Sequence, residues 1–267
     1  MERSRRISVE SLCGEGYRDI ICYPRYEIEE LQNRLTELRE LGIESVEFTG
    51  NKIVRNIPVL GKGNVGLVVI AYGKMGKAAL KIRRVDADRF TMQHEAQMLQ
   101  MANEVNVGPR LLGLTPNFLL MAYIKGSSFH DWMTALSGGK AKRRLQNTLS
   151  SILEQAWKLD HKGVDHGQLS NAEKHVIVDP NDIPQIVDFE TASTSRQVSN
   201  LTSICNYLFL RDQIAEPVQE RIGWINRNSL ITALRAYKSN RSRESFVQIL
   251  ETCTLFEAPS QTSDTIA

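Results

Sequence analysis

Gly61-Lys62-Gly63-Asn64-Val65-Gly66-Leu67-Val68-Val69-Ile70-Ala71-Tyr72 is the stretch on which the fold turns. Its first six residues make a G-x-G-x-x-G pattern, which two unrelated architectures use to bind phosphate. In a dinucleotide-binding unit the third glycine opens a helix. Here Gly66 opens a β-branched, apolar run that suits a strand. The pattern therefore reads as a glycine-rich hairpin whose backbone N–H groups would drape over phosphate. The plainer reading is a tight hairpin that merely needs its glycines. A second strand tips the balance: on Lys77-Ala78-Ala79-Leu80-Lys81-Ile82, Ala79 and Lys81 face the same side. A small residue there leaves room for a purine ring, and the lysine reaches phosphate oxygens beyond it. Glu95 comes 14 residues after Lys81 in a helical segment, placed to hold such a lysine.

To either side the apolar pattern changes character. Residues 1–20 are polar and aperiodic, the texture of a loose arm. Ile28, Leu31, Leu35, Leu38 and Leu41 then recur at helical spacing, with Pro24 before them and Gly42 as a stop. An amphipathic stripe of this kind is expected to pack on its own core. Residues 43–48 alternate as a strand, and 53–82 read as an antiparallel meander punctuated by glycines. Residues 89–105 are helical, and 110–114 and 117–124 read as two further strands. After Gly126 helices dominate: 142–161 carries Leu145, Leu149, Ile152, Leu153, Ala156 and Trp157 on one face. Residues 176–178 and 185–187 read as a short strand pair, the chain is helical from about Leu201 to Leu255, and 257–267 has the composition of a disordered tail. The expectation is an α+β chain, strand-rich in its first half and helix-rich in its second.

With 33 Lys+Arg against 31 Asp+Glu, the net charge of +2 argues against a protein that mainly coats nucleic acid or acidic membrane. A hydrophobic fraction of 42% and a charged fraction of 24% are those of an ordinary globular protein. The apolar runs at 67–72 and 118–124 fall well short of the ~18–20 residues that span a bilayer. No apolar segment comes after Arg5-Arg6, so no export signal is read and a cytoplasmic location is expected. Cys13, Cys22, Cys205 and Cys253 are scattered without metal-ligand spacing, which argues against zinc and for reduced thiols.

The second half carries two more segments of interest. The first runs Asp165-His166-Gly167-Gln168-Leu169-Ser170. The second is Gln185-Ile186-Val187-Asp188-Phe189-Glu190, in which a carboxylate ends a short apolar strand and would suit a hard cation such as Mg²⁺. Together with Gly61, Gly63, Gly66, Val68, Ala79, Lys81 and Glu95, in this order, these segments resemble the protein-kinase superfamily. Within it the chain is most similar to the small RIO-type and KEOPS-complex-type kinases, the predicted serine/threonine kinases described in archaea and cyanobacteria. The likeness covers roughly 57–210.

That resemblance implies a two-lobed protein-kinase-like fold. Its parts would be an N-terminal arm and helix at 1–56, a five-stranded antiparallel N-lobe at 57–125, a reduced helical C-lobe at 126–256 and the tail. It implies ATP and Mg²⁺ (or Mn²⁺) as cofactors, with the glycine loop and Lys81 on the phosphates and Glu95 fixing Lys81. Met121 would stand at the gatekeeper position, and the 122–124 backbone, Tyr123 and Ile124 included, would meet adenine. Asp188 would hold the metal, with Asn171, Glu173 or His175 as the second ligand. The chain departs from the family where a catalytic aspartate is expected, since Gln168 orients a hydroxyl but takes no proton from it; Asp165 and Glu173 are the carboxylates that would replace it. Glu190 replaces the glycine of D-F-G.

The implied activity is transfer of phosphate to serine or threonine hydroxyls, in a protein partner or in the chain itself. Its rivals are a nucleotide-binding pseudokinase scaffold or switch-like ATPase and, third, a small-molecule kinase. His166 reads as a buttress of the metal-binding segment, and His94 and His130 as surface residues. Lys140, Lys142, Arg143 and Arg144 read as a solvated face, with ribonucleoprotein contact as the sharper alternative. Arg5-Arg6-Ile7-Ser8 has the form of a basophilic phosphorylation site in a flexible arm.

Overall fold

The computed structural model describes residues 5–89 and 91–256; the polar tail at 257–267 lies outside them. It is an α+β structure whose sheets are antiparallel throughout the described residues. The chain divides into two compact units, 1–103 with 109–124, and 104–108 with 125–267.

In the first unit β1 (Arg5–Ser8) is followed by a 3₁₀ turn at Val9–Cys13, α1 (Tyr17–Ile21), α2 (Ile28–Glu40) and β2 (Ile43–Phe48). A small hairpin of β3 (Lys52–Val54) and β4 (Ile57–Val59) leads into β5 (Gly61–Lys62), β6 (Gly66–Gly73) and β7 (Gly76–Arg83). Then come α3 (Gln93–Asn103), β8 (Leu111–Leu114) and β9 (Phe118–Ala122). The main sheet is seven-stranded, in the order β1-β2-β6-β7-β9-β8 with β5 beside the start of β6. Five strands were expected; the sheet is extended by β2, which pairs onto the far end of β6, and by β1, which pairs onto β2.

The N-terminal segment is not a loose arm. Val9, Leu12, Ile20, Ile21 and Cys22 are all at most 1% exposed, in one core with Leu31, Leu38, Val46, Phe48, Leu67, Val69 and Leu80. Short elements that contribute one or two apolar residues each leave no period in the sequence, so tertiary packing alone places them. Ser8 accordingly lies in a strand opposite Ser45, its hydroxyl bonded to that of Ser11.

Within the α2 stripe sits a charge. Arg34 is fully buried, and its guanidinium donates to Glu30 Oε1 (2.6 Å), to the carbonyls of Ile21 and Arg83 (2.6 Å each) and to Asn117 Oδ1 (3.0 Å). Asn117 is held in turn by Glu37 and by Arg83 Nε. Such a charge is tolerable inside because its donors are satisfied and its partner is ionic. The network ties α2 to the ends of β7 and β9.

The second unit opens with β10 (Ser127–Ser128), α4 (Phe129–Ala135) and the long α5 (Ala141–Lys162). α5 buries the stripe Leu145, Leu149, Ile152, Leu153 and Ala156 and stops at Gly163 in the left-handed conformation. A 3₁₀ segment at Leu169–Lys174 precedes β11 (Val176–Val178) and β12 (Pro184–Ile186), which form a three-stranded sheet with β10. Gln155 of α5 clasps β12, donating to the Pro184 carbonyl (2.7 Å) and accepting from the Ile186 N–H (3.1 Å). The chain continues through α6 (Asn200–Cys205), a π-helical turn at Asn206–Leu210, α7 (Asp212–Ile222), α8 (Arg227–Ser239) and α9 (Arg243–Thr252). Among the described residues no helix is long and apolar enough to cross a membrane. All four cysteines are free thiols, Cys13 exposed and the others buried.

Candidate functional site

Strand register brings together the candidate residues of the first unit. Val68 pairs with Lys81, Ile70 with Ala79, and Ala79 with Met121, so these residues share one face of the sheet. The hairpin from β5 to β6 closes with Gly63 N–H on the Gly66 carbonyl at 2.8 Å. A Cβ on Gly66 would stand 2.7 Å from the Ile82 carbonyl oxygen and 3.2 Å from Lys81 Cγ, so only glycine lets the two strands approach here.

Lys81 is 5% exposed and Glu95, from the first turn of α3, is 4% exposed. Lys81 Nζ lies 2.9 Å from both carboxylate oxygens of Glu95. A buried lysine–carboxylate pair is costly to desolvate and gains little stability over apolar residues. Its presence on a strand beside the glycine hairpin makes it the first unit's candidate for function. Tyr123 continues the same face beyond β9, with Lys77 Nζ 4.4 Å from its ring centre. The Ala122 N–H donates to the Arg110 carbonyl at 2.8 Å, so of the backbone groups of Ala122 only its carbonyl is open to the role expected for 122–124.

The candidate residues of the second unit lie on a set of braced loops. His166 is fully buried, and its Nε2 lies 3.1 Å from the Val187 carbonyl, one residue before Asp188; its ring meets Phe189 edge-on. Burial lowers its pKa to about 4 from 6.5, so the imidazole is neutral and donates from Nε2. The role of buttress expected for it is therefore its geometry. Asn200 clamps the same loop from below. Its Oδ1 accepts from the His166 N–H (2.8 Å) and its Nδ2 donates to the Val164 carbonyl (2.7 Å). Asp160, from the last turn of α5, holds Asn200 by its N–H and Nδ2 (2.9 Å each) and also accepts from the Tyr237 hydroxyl at 3.0 Å. Burial raises the Asp160 pKa despite these donors. Neither residue is conspicuous in the sequence, because their roles depend on α5, α6 and α8 meeting.

Asp188 takes a positive φ of 69°, the left-handed region that aspartate and asparagine enter more readily than other non-glycine residues. His175, whose carbonyl accepts from the Val187 N–H, brings Nδ1 to 3.8 Å from Asp188 Oδ2. Asp188 and Glu190 offer carboxylate oxygens within 4.8 Å of one another. Two hard oxygen donors at that separation fit a divalent cation such as Mg²⁺; the imidazole of His175 fits one less well. Asn171 is exposed, and its Oδ1 accepts from Arg211 at 3.3 Å.

Gln168 is half-buried at the entry to the 3₁₀ segment. Asp165, expected as a substitute base, is 5% exposed, with one oxygen on Arg196 Nε (2.9 Å) and the other on the Ser199 N–H (3.2 Å). Its carboxylate is spent on joining the loop to the start of α6. Glu173 is exposed. In the basic cluster Lys140, Lys142 and Arg143 are exposed, but Arg144 is committed to Asp182 by two 2.6 Å contacts. His130 is exposed and His94 half-buried.

No protein-family model and no curated protein matches this chain.

Proposed function

We propose that the chain is an atypical serine/threonine kinase of the two-lobed protein-kinase-like type, transferring the γ-phosphoryl group of ATP to a hydroxyl of a protein partner or of itself. The observation that carries this reading is the buried Lys81–Glu95 pair, on the face that also bears Val68, Ala79 and Met121 and next to the glycine hairpin. Lys81 holds the α/β-phosphates, Glu95 keeps its ammonium in place, and the hairpin N–H groups cover the phosphate oxygens. Ala79 and Val68 flank the purine. Asp188, with Glu190, would hold Mg²⁺, which would supply charge neutralisation at the phosphates. Gln168 orients the acceptor hydroxyl. Phosphoryl transfer relies chiefly on positioning and electrostatics, so a residue that aligns the acceptor without taking its proton is compatible with turnover.

A second reading is favoured by Gln168 and by the commitment of Asp165 to Arg196 and Ser199: a scaffold that binds MgATP and transfers little. One experiment separates the two. Wild type, Lys81→Ala, Asp188→Ala and Gln168→Ala are incubated with γ-labelled ATP and Mg²⁺ or Mn²⁺, alone and with a cell extract. Label that vanishes with Lys81→Ala and Asp188→Ala supports the kinase. Saturable MgATP binding without label supports the scaffold, and absence of both removes the nucleotide reading.

A further inference from the structure

The tip of the glycine hairpin is held from one side by a single residue. The backbone N–H of Arg84 donates to the Val65 carbonyl at 2.8 Å, and its guanidinium Nη1 reaches the Gly63 carbonyl at 3.4 Å. The guanidinium is itself fixed by a two-point contact with Asp86, Nε at 2.8 Å and Nη2 at 2.7 Å. It lies 5.2 Å from the ring centre of Tyr23, and Lys62 of the hairpin brings its ammonium to 5.3 Å from the same ring. The N-terminal segment thus supports the hairpin as well, with the Tyr23 carbonyl accepting from the Val85 N–H.

Peptide planarity turns this into a statement about donors. The C=O of Gly63 and the N–H of Asn64 belong to one trans peptide and point in opposite directions. With the carbonyl turned to Arg84, the Asn64 N–H points away from it, and among the described residues no backbone acceptor takes that N–H. Were the peptide to flip, a carbonyl oxygen would stand where an anion is to bind. We propose that Arg84 is a positioning residue of the phosphate hairpin: it holds the Gly63 and Val65 carbonyls so that the Asn64 N–H is presented to an anionic phosphate. The proposal rests on the nucleotide-binding function proposed for this chain, and its latch is testable apart from it.

The test compares wild type with Arg84→Ala and Arg84→Lys in two measurements on the full chain. The first is binding of MgATP and of adenosine. Loss of a charge-type contact to phosphate weakens MgATP about tenfold while leaving adenosine unchanged, and lysine, lacking the fork, does not restore it. Equal weakening of both ligands, or of neither, overturns the role. The second is amide hydrogen exchange of Gly63, whose N–H is bonded to the Gly66 carbonyl across the turn, without nucleotide, about tenfold faster in Arg84→Ala if the latch holds the turn. Unchanged exchange overturns the latch whether or not ATP binds. A wild type that binds no ATP overturns the phosphate role, and faster exchange would then support only the latch.

Discussion

The imidazole of His166 hydrogen-bonds the carbonyl oxygen of Val187 at 3.1 Å, so a fully buried neutral ring supports the backbone immediately before Asp188. The same loop is gripped at its N–H by Asn200. The strand that leads to Asp188 is thus braced by the ring on the Val187 carbonyl and by the clasp of Gln155 on β12.

The buried ring makes stability depend on pH. The folded pKa of His166 lies at about 4, below the ordinary 6.5, so between these values the unfolded chain binds the extra proton. Stability is therefore fully present above pH 6.5 and falls as pH drops toward 4, by about 3 kcal/mol if the whole shift is expressed. Urea unfolding from pH 7.5 to 4 should show this decline. His166→Gln, which keeps a donor for Val187, should flatten it; an equally steep decline in the variant would place the proton elsewhere.

Lys81 and Glu95 offer a test that separates stability from function. Removing one partner, as in Lys81→Met or Glu95→Leu, leaves a buried charge alone and should cost about 3–5 kcal/mol in chemical unfolding. The double variant Lys81→Met/Glu95→Leu should recover most of that loss. MgATP binding should be lost in all three. A double variant that regains stability and still binds ATP with wild-type affinity would remove the pair from the binding site.

Arg34 predicts a structural effect. Arg34→Met takes a donor from Glu30 and from two backbone carbonyls and leaves Asn117 Oδ1 with Arg83 Nε alone, and should destabilise the protein by about 3–5 kcal/mol. Arg34→Lys should restore only part of it, since an ammonium cannot reproduce the planar fork. Thermal unfolding of the two variants checks the order, and equal melting temperatures for Arg34→Lys and wild type would contradict it.

What the sequence determined by itself are the elements with a period or a local stop signal. The α2 stripe and its Gly42 stop, the α5 stripe, the β6–β7 meander and the short β11–β12 pair arise from alternation or 3.6-residue spacing, which the chain carries locally. The order of Gly61, Lys81 and Glu95 likewise pointed to a paired lysine before any contact was seen, because the pairing needs only one strand and the following helix. Tertiary structure decided the rest. The N-terminal segment has no period, and it became core only because β1 adds to the edge of β2 while Val9, Leu12 and Ile20 fall on the same apolar mass. Asp165 is an acidic residue beside a histidine in the sequence; in the fold its oxygens belong to Arg196 and Ser199, 31 and 34 residues away. Arg34, Asn200 and Asp160 are polar residues that helices and strands distant in sequence surround and bury. A hydrogen-bond partner far along the chain leaves no local signature, so the side chains that brace this site had to wait for the fold.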